Sequence, residues 1–240
     1  MTKIRICVWS GPRNISTALM YSFANRTDTR VIDEPFYAHY LKSTGANHPG
    51  RDEVLDSQEN DADKIINEVV LKDYSEPVLF VKNMAHHLTA MRTDFLEELV
   101  NVFLIRSPEE VITSLIKNIP EPVMRDTGFE MEYQIYESLR QKGLEPLVID
   151  ARELLMDPEK ILKSFCEKVG IAFEPQMLVW EKGPRPEDGV WAKYWYENVH
   201  NSTGFAPYQP KNSAVPPNLN TLLQSCRHYY DLLYEQALKA

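Results

Sequence analysis

The sequence predicts a three-layer α/β fold with a largely parallel, P-loop-like central sheet. Short runs rich in β-branched and aliphatic residues recur at 4–8, 29–32, 77–81, 100–105 and 146–149. Between them lie longer segments with apolar residues at three- and four-residue spacings, and strands alternating with helices give a sheet covered on both faces. At 240 residues, 43% hydrophobic and 25% charged, the chain suits one globular domain spanning 1–240.

The first strand holds Ile4, Ile6 and Val8, and a Gly11-Pro12 turn follows. From Ser16 the pattern becomes helical through Leu19, Met20 and Phe23. Residues 29–32 form a second strand ending in Asp33-Glu34-Pro35, beside Phe36, Tyr37 and Tyr40. The polar, Gly- and Pro-containing stretch 42–60 reads as a long surface loop or lid. A helix at 61–74 and a buried strand at 77–81 lead to Lys82-Asn83-Met84-Ala85-His86-His87 at a strand end.

Residues 88–99 read as a helix before the clearest strand, 100–105, which Arg106 ends. Ser107-Pro108-Glu109-Glu110 has the form of a capping box with proline at the first helical position, and the helix it starts carries Ser114. A Pro-containing connection at 118–128, a helix at 130–142 and a strand at 146–149 come next. Asp157-Pro158 opens a helix at 159–169 that Gly170 stops. Residues 173–217 hold seven of the 16 prolines and three of the four tryptophans, which marks a long functional excursion. An amphipathic helix at 218–238 closes the chain.

A formal charge of −9 argues against a general nucleic-acid or anionic-membrane binder. Cys7, Cys166 and Cys226 are odd in number and far apart, which fits a reducing compartment and no metal-binding pairs. The opening MTKIRIC enters a strand with no signal-peptide core, and no apolar run nears the ~18 residues of a membrane span. The expected location is cytoplasmic.

A strand, a tight loop and a helix N-terminus direct backbone N–H groups and the helix dipole at an anion. Arg13, Asn14, Ser16 and Thr17 add a cation and further donors. An ordinary capped first βα turn has the same outline. A nucleotide-triphosphatase loop would need Gly-Lys-Ser/Thr where this chain has Ser16-Thr17-Ala18, so neither its lysine nor its Mg²⁺ hydroxyl is in register.

Three stretches together resemble the P-loop-type sulfotransferase family, which uses 3′-phosphoadenosine 5′-phosphosulfate as donor. Gly11-Pro12-Arg13-Asn14-Ile15-Ser16-Thr17 is similar to its 5′-phosphosulfate loop, with Ile15 in place of the usual glycine. Phe103-Leu104-Ile105-Arg106-Ser107-Pro108 followed by Ser114 is similar to its 3′-phosphate motif. Leu147-Val148-Ile149-Asp150 through Leu154-Leu155-Met156-Asp157-Pro158 to Val169-Gly170-Ile171 matches a structural landmark, and the resemblance covers most of 4–171. Lys182-Gly183 and Arg185, with Gly189, Trp191 and Lys193, resemble the family's late loop over the 3′-phosphate, although Glu181 stands where the family has arginine.

The resemblance implies a metal-independent sulfotransferase that moves a sulfuryl group to a hydroxyl or amine of a small-molecule acceptor. Charge building on the departing phosphate oxygen calls for a cation, the role of Arg13. A base must take the acceptor proton, and Glu34, His86 and His87 are the candidates. Two neighbouring histidines cannot both face a pocket from a regular segment. Arg106 has a second reading as a partner of Glu109 or Glu110, and Ser114 as a helix back-bonding serine. Trp191, Trp195 and Tyr196 form either an acceptor wall or plain packing. Adjacent Asp33 and Glu34 on a strand would point to opposite faces and cannot flank one glycosidic bond. No stretch resembles a pyridoxal phosphate site. The other open readings are a small-molecule kinase on the same sheet and a non-catalytic nucleotide-binding or interaction module.

Overall fold

Six parallel strands run in the order β2-β3-β1-β4-β5-β6: β1 (Ile4–Ser10), β2 (Thr29–Asp33), β3 (Val78–Met84), β4 (Val100–Ile105), β5 (Leu147–Asp150) and β6 (Ala237–Leu238). They come from a computed structural model that describes residues 3–210 and 214–240. Residues 211–213 of the predicted excursion lie outside the described residues, as do Met1 and Thr2 of the opening segment.

The alternation along each strand assigns side chains to two cores. Ile6 and Val8 of β1, Val78 and Phe80 of β3, and Val102 and Leu104 of β4 pack on one face. That face is covered by the helices Ser16–Ala24 and Pro158–Val169. Cys7, Trp9, Leu79, Val81, Phe103 and Ile105 face the other way, against Phe95 and the helix Phe129–Gln141. The three-layer α/β/α architecture follows from this period of two. Phe80 stacks on Phe23 at 4.3 Å between centroids, and Phe23 meets Phe165 at 5.4 Å.

Several expectations are corrected. Residues 42–60 are not a loop: the helix Tyr37–Thr44 reaches into them and the helix Arg51–Ser57 follows, with Val54 buried. Gly45, in the left-handed region, stops the first of these, so the glycine terminates a helix rather than signalling a loop. The predicted helix at 88–99 does not form: residues 88–93 are irregular and one 3₁₀ turn, Asp94–Glu98, follows, while Leu88, Phe95, Leu96 and Leu99 reach the core from this backbone without a regular helix. The 61–74 helix ends early, as Ala62–Ile65 followed by a π turn at Ile66–Val70.

The closing helix covers Asn220–Tyr234, and the chain then adds β6 beside β5. Ser107 forms no capping box, because its hydroxyl donates to Glu109 Oε2 at 2.7 Å. By contrast, Asp150 and Asp157 accept from the backbone as true N-caps, Asp157 ahead of Pro158.

β1 lies centrally, with β2 and β3 on one side and β4, β5 and β6 on the other. The winding direction changes at β1, and such a switch point opens a crevice beyond the strands' carboxyl ends. Phe80→Ala is expected to cost about 3–5 kcal/mol of stability without altering the fold, read from urea unfolding midpoints.

Candidate active site

A cavity of about 790 Å³ sits at that switch point, lined from three directions. One wall is the turn after β1, Gly11 to Thr17. Gly11 is there because a Cβ would lie 2.6 Å from the Thr127 carbonyl oxygen. Its N–H donates to the buried carboxyl of Glu132 at 2.9 Å, and burial raises the pKa of Glu132 well above the ordinary range. Asn14 ties the loop to the Leu104 carbonyl and accepts from the Ile15 N–H at 2.8 Å. Among the described residues no side chain caps the helix Ser16–Ala24 at its N-terminus, which opens towards the cavity.

Arg13 holds a left-handed backbone, φ 60°, and its Nε donates to Ser114 Oγ at 3.0 Å. Burial and then the neighbouring Arg106 lower its pKa. Arg106 donates to the Arg13 carbonyl at 2.8 Å and to Glu110 Oε2 at 2.7 Å. The pairing with Glu110 foreseen for it is present, and the same side chain lines the cavity. Ser114 bonds Arg13 rather than its own helix.

The opposite wall contains Glu34, His86 and His87. Glu34 sits just past β2 with φ 39°, which breaks the strand alternation. Asp33 and Glu34 therefore converge on one partner, the Lys82 ammonium, at 2.9 and 2.5 Å. Tyr196 accepts from Lys82 Nζ at 2.6 Å and donates to Asp33 Oδ2 at 2.7 Å. All four side chains are buried. Burial opposes the charge on Lys82, but the two carboxylates outweigh it and raise its pKa. Burial also raises the pKa of Glu34, with Asp33 adding to the effect and Lys82 opposing it.

Both histidines line the cavity, contrary to the expectation for a regular segment, because they lie in a 3₁₀ turn. His87 stacks on Tyr37 and on Tyr40, each at 4.9 Å, and Tyr40 meets His86 edge-on. The Nδ1 atoms of His86 and His87 have no hydrogen-bond partner among the described residues, and His87 Nδ1 lies 3.9 Å from Glu34 Oε2.

Trp191, Trp195 and Tyr196 form the third wall, supplied by the excursion. Lys182, Gly183 and Arg185 are not brought to the cavity. Arg185 instead lies over the Tyr21 ring and donates to Asn25, and the Gly183 N–H donates to His200 O.

Among the cavity residues, Lys82 and His48 were given no role from the sequence. Lys82 carried a signal, as a charged residue at the end of the apolar run Val78-Leu79-Phe80-Val81, and the structure pairs it in register with Asp33 of β2. His48, which bonds the Tyr37 hydroxyl at 2.8 Å, carried none.

A family model described as a sulfotransferase domain matches residues 4–237. The chain belongs to the sulfotransferase domain family. Among its relatives, branched-chain-amino-acid aminotransferase-like protein 2 of Arabidopsis thaliana is 40% identical over 229 residues, 95% of this chain and 41% of the relative. The like-named protein 1 is 40% identical over 226 residues, 94% of this chain and 40% of that one. The chain thus spans about two-fifths of the curated relatives it matches.

Among solved structures, the sulfotransferase domain from the curacin biosynthetic pathway superposes with a TM-score of 0.57 at 17% identity, covering 96% of this chain and 98% of that one. A sulfotransferase from Alicyclobacillus acidocaldarius gives 0.56 at 11% identity, covering 99% and 98%. These likenesses show a shared fold. Among the described residues there is no cluster able to hold a metal ion, and no helix is long and apolar enough to cross a membrane.

Burial, and then His48 and Arg125, hold the His86 pKa down to about 3, from an ordinary 6.5. Burial, and then His86, hold His87 well below its ordinary value. Unfolding releases both to take up protons. Their contribution to stability is therefore complete above pH 6.5 and is lost as pH falls towards 3. Each contributes a slope of ~1.4 kcal/mol per pH unit over its window. His86→Asn should flatten the loss of stability between about pH 6 and 4 by one such slope, measured by denaturant unfolding across that range.

Proposed function

We propose that this chain catalyses sulfuryl transfer from 3′-phosphoadenosine 5′-phosphosulfate to a hydroxyl or amine of a small acceptor. The observation that carries the reading is one cavity with an uncapped helix N-terminus, Arg13 and Arg106 at one end and a carboxylate beside two neutral imidazoles at the other. Family membership supplies the donor class. The cradle suits a 5′-phosphosulfate: free backbone N–H groups, the hydroxyls of Ser16 and Thr17, and a cation. Arg106 and Ser114 are assigned to the 3′-phosphate. Lys182, Gly183 and Arg185 would join them only if the late loop closes over the donor.

Glu34 is assigned as the base. A general base works best with a pKa near the working pH. Burial moves Glu34 up towards that range, whereas His86 at about 3 is too weak a base to hold a proton there. As the acceptor oxygen bonds to sulfur, the sulfur–oxygen bond to the 5′-phosphate breaks. The acceptor proton passes to Glu34, and Arg13 and the helix N–H groups stabilise the negative charge left on the phosphate. Neutral His86 and His87, with Tyr37 and Tyr40, orient the acceptor. The three free, buried cysteines support a reducing, cytoplasmic setting. The aminotransferase-like names belong to much longer chains, and Lys82, the buried lysine of the cavity, is engaged by two carboxylates.

Calorimetric titration with 3′-phosphoadenosine 5′-phosphate, beside AMP and ATP and without added metal, tests the donor site. Micromolar binding that needs the 3′-phosphate and disappears in Arg106→Ala is the expected result. Equal binding of AMP, or preference for ATP, would overturn it. With an acceptor in hand, Arg13→Ala should lower kcat by roughly 10²–10³-fold, as loss of a charge-stabilising donor does elsewhere. The rate should fall as pH drops through the Glu34 pKa, because the base must be unprotonated.

A further inference from the structure

Tyr196 occupies a singular position in the buried network. The three protons of Lys82 Nζ are taken by Asp33 Oδ1, Glu34 Oε1 and the Tyr196 hydroxyl. That hydroxyl also receives the Trp191 indole N–H at 3.0 Å and gives its own proton to Asp33 Oδ2. Asp33 Oδ2 has one further donor, the Gly189 N–H at 3.3 Å. Glu34 Oε2 is left without a hydrogen bond among the described residues, on the wall of the cavity.

We propose that Tyr196 is a positioning residue for sulfuryl transfer, holding Lys82 between Asp33 and Glu34 so that Glu34 keeps one carboxylate oxygen free for the acceptor proton. The inference rests on the reading of Glu34 as the base. Its physical content is a competition. Lys82 has two carboxylate partners, and Asp33 is satisfied on its far oxygen by the Tyr196 hydroxyl. Without that hydroxyl one ammonium proton is unpaired and Asp33 Oδ2 loses its short donor. A buried ammonium then moves towards Asp33 to restore both bonds, and Glu34 loses countercharge. The ring itself stays, as Lys82 Nζ lies 4.9 Å from its centroid and phenylalanine packs alike.

The experiment is carbon-13 NMR titration of the glutamate carboxyls, with the Glu34 resonance assigned by its absence in Glu34→Gln, and with no donor or acceptor added. In Tyr196→Phe the Glu34 midpoint should rise by about one pH unit, a tenfold gain in proton affinity. In Asp33→Asn it should fall, because the competing charge is removed and Lys82 is released to Glu34. The acidic limb of kcat/KM should follow each shift, while affinity for 3′-phosphoadenosine 5′-phosphate stays within about twofold of the parent. A Tyr196→Phe protein that loses rate with an unmoved Glu34 midpoint would show packing alone and overturn the proposal. Should that variant fail to fold, Asp33→Asn decides, and an unmoved midpoint there overturns it equally. Full activity in Glu34→Gln would remove the base assignment itself, an outcome separate from the coupling.

Discussion

The Lys82 ammonium is buried in a sheet that is apolar on both faces, and it is tolerable there only because two carboxylates and a phenol surround it. Stripping one partner from such a buried ion pair typically costs about 3–5 kcal/mol, because an uncompensated charge remains in low dielectric. That constraint reaches across the molecule. Asp33 and Glu34 end β2, Lys82 belongs to β3, and Tyr196 comes from the excursion beyond the helix Pro158–Val169. The network therefore clamps the excursion onto the strand ends and sets the distance between the aromatic wall and the histidines. A cavity built from segments far apart in the chain keeps its shape because charge cannot be left unpaired inside it.

The opposite end of the cavity follows from close approach rather than charge pairing. Gly11 and Gly128 meet so closely that a Cβ on Gly128 would lie 2.9 Å from the Gly11 Cα, and a Cβ on Gly11 would strike the Thr127 carbonyl. This contact lets the Gly11 N–H reach Glu132 and fixes the turn before the helix Ser16–Ala24. With the turn fixed, Arg13 bends into the left-handed region, and its guanidinium meets Ser114 on the helix Pro108–Leu115. Two cations, Arg13 and Arg106, are thereby held side by side, with Glu110 neutralising part of the charge.

Much of this was readable in advance where the signal is local. Val100 to Ile105 is a strand because a run of aliphatic and aromatic residues, interrupted only by Asn101, can be buried on both faces, and Asp157-Pro158 starts a helix because aspartate caps and proline fits the first turn. The reading failed where local signals are ambiguous. Gly45 and Gly50 suggested a loop at 42–60, yet one ends a helix and the other precedes one. At 88–99 the apolar spacing suited a helix, but Leu88, Phe95, Leu96 and Leu99 are buried from irregular backbone and one 3₁₀ turn, so apolar spacing there reports burial rather than helix. The last strand, two residues long, has no sequence signal of its own and exists because β5 offers it an edge.

The sequence by itself determined the alternating α/β order, the strand–turn–helix after β1 and the placing of Arg106 and Ser114 eight residues apart, since each depends on neighbours within a turn or two. Only the tertiary structure decided that Asp33 and Glu34 share Lys82, that both histidines face one cavity, and that Tyr196 rather than Lys182 or Arg185 comes to it. The reason is physical. Hydrophobic period and capping act over a few residues, whereas pairing a buried charge and closing a cavity depend on which distant segments the packed sheet brings within hydrogen-bond reach.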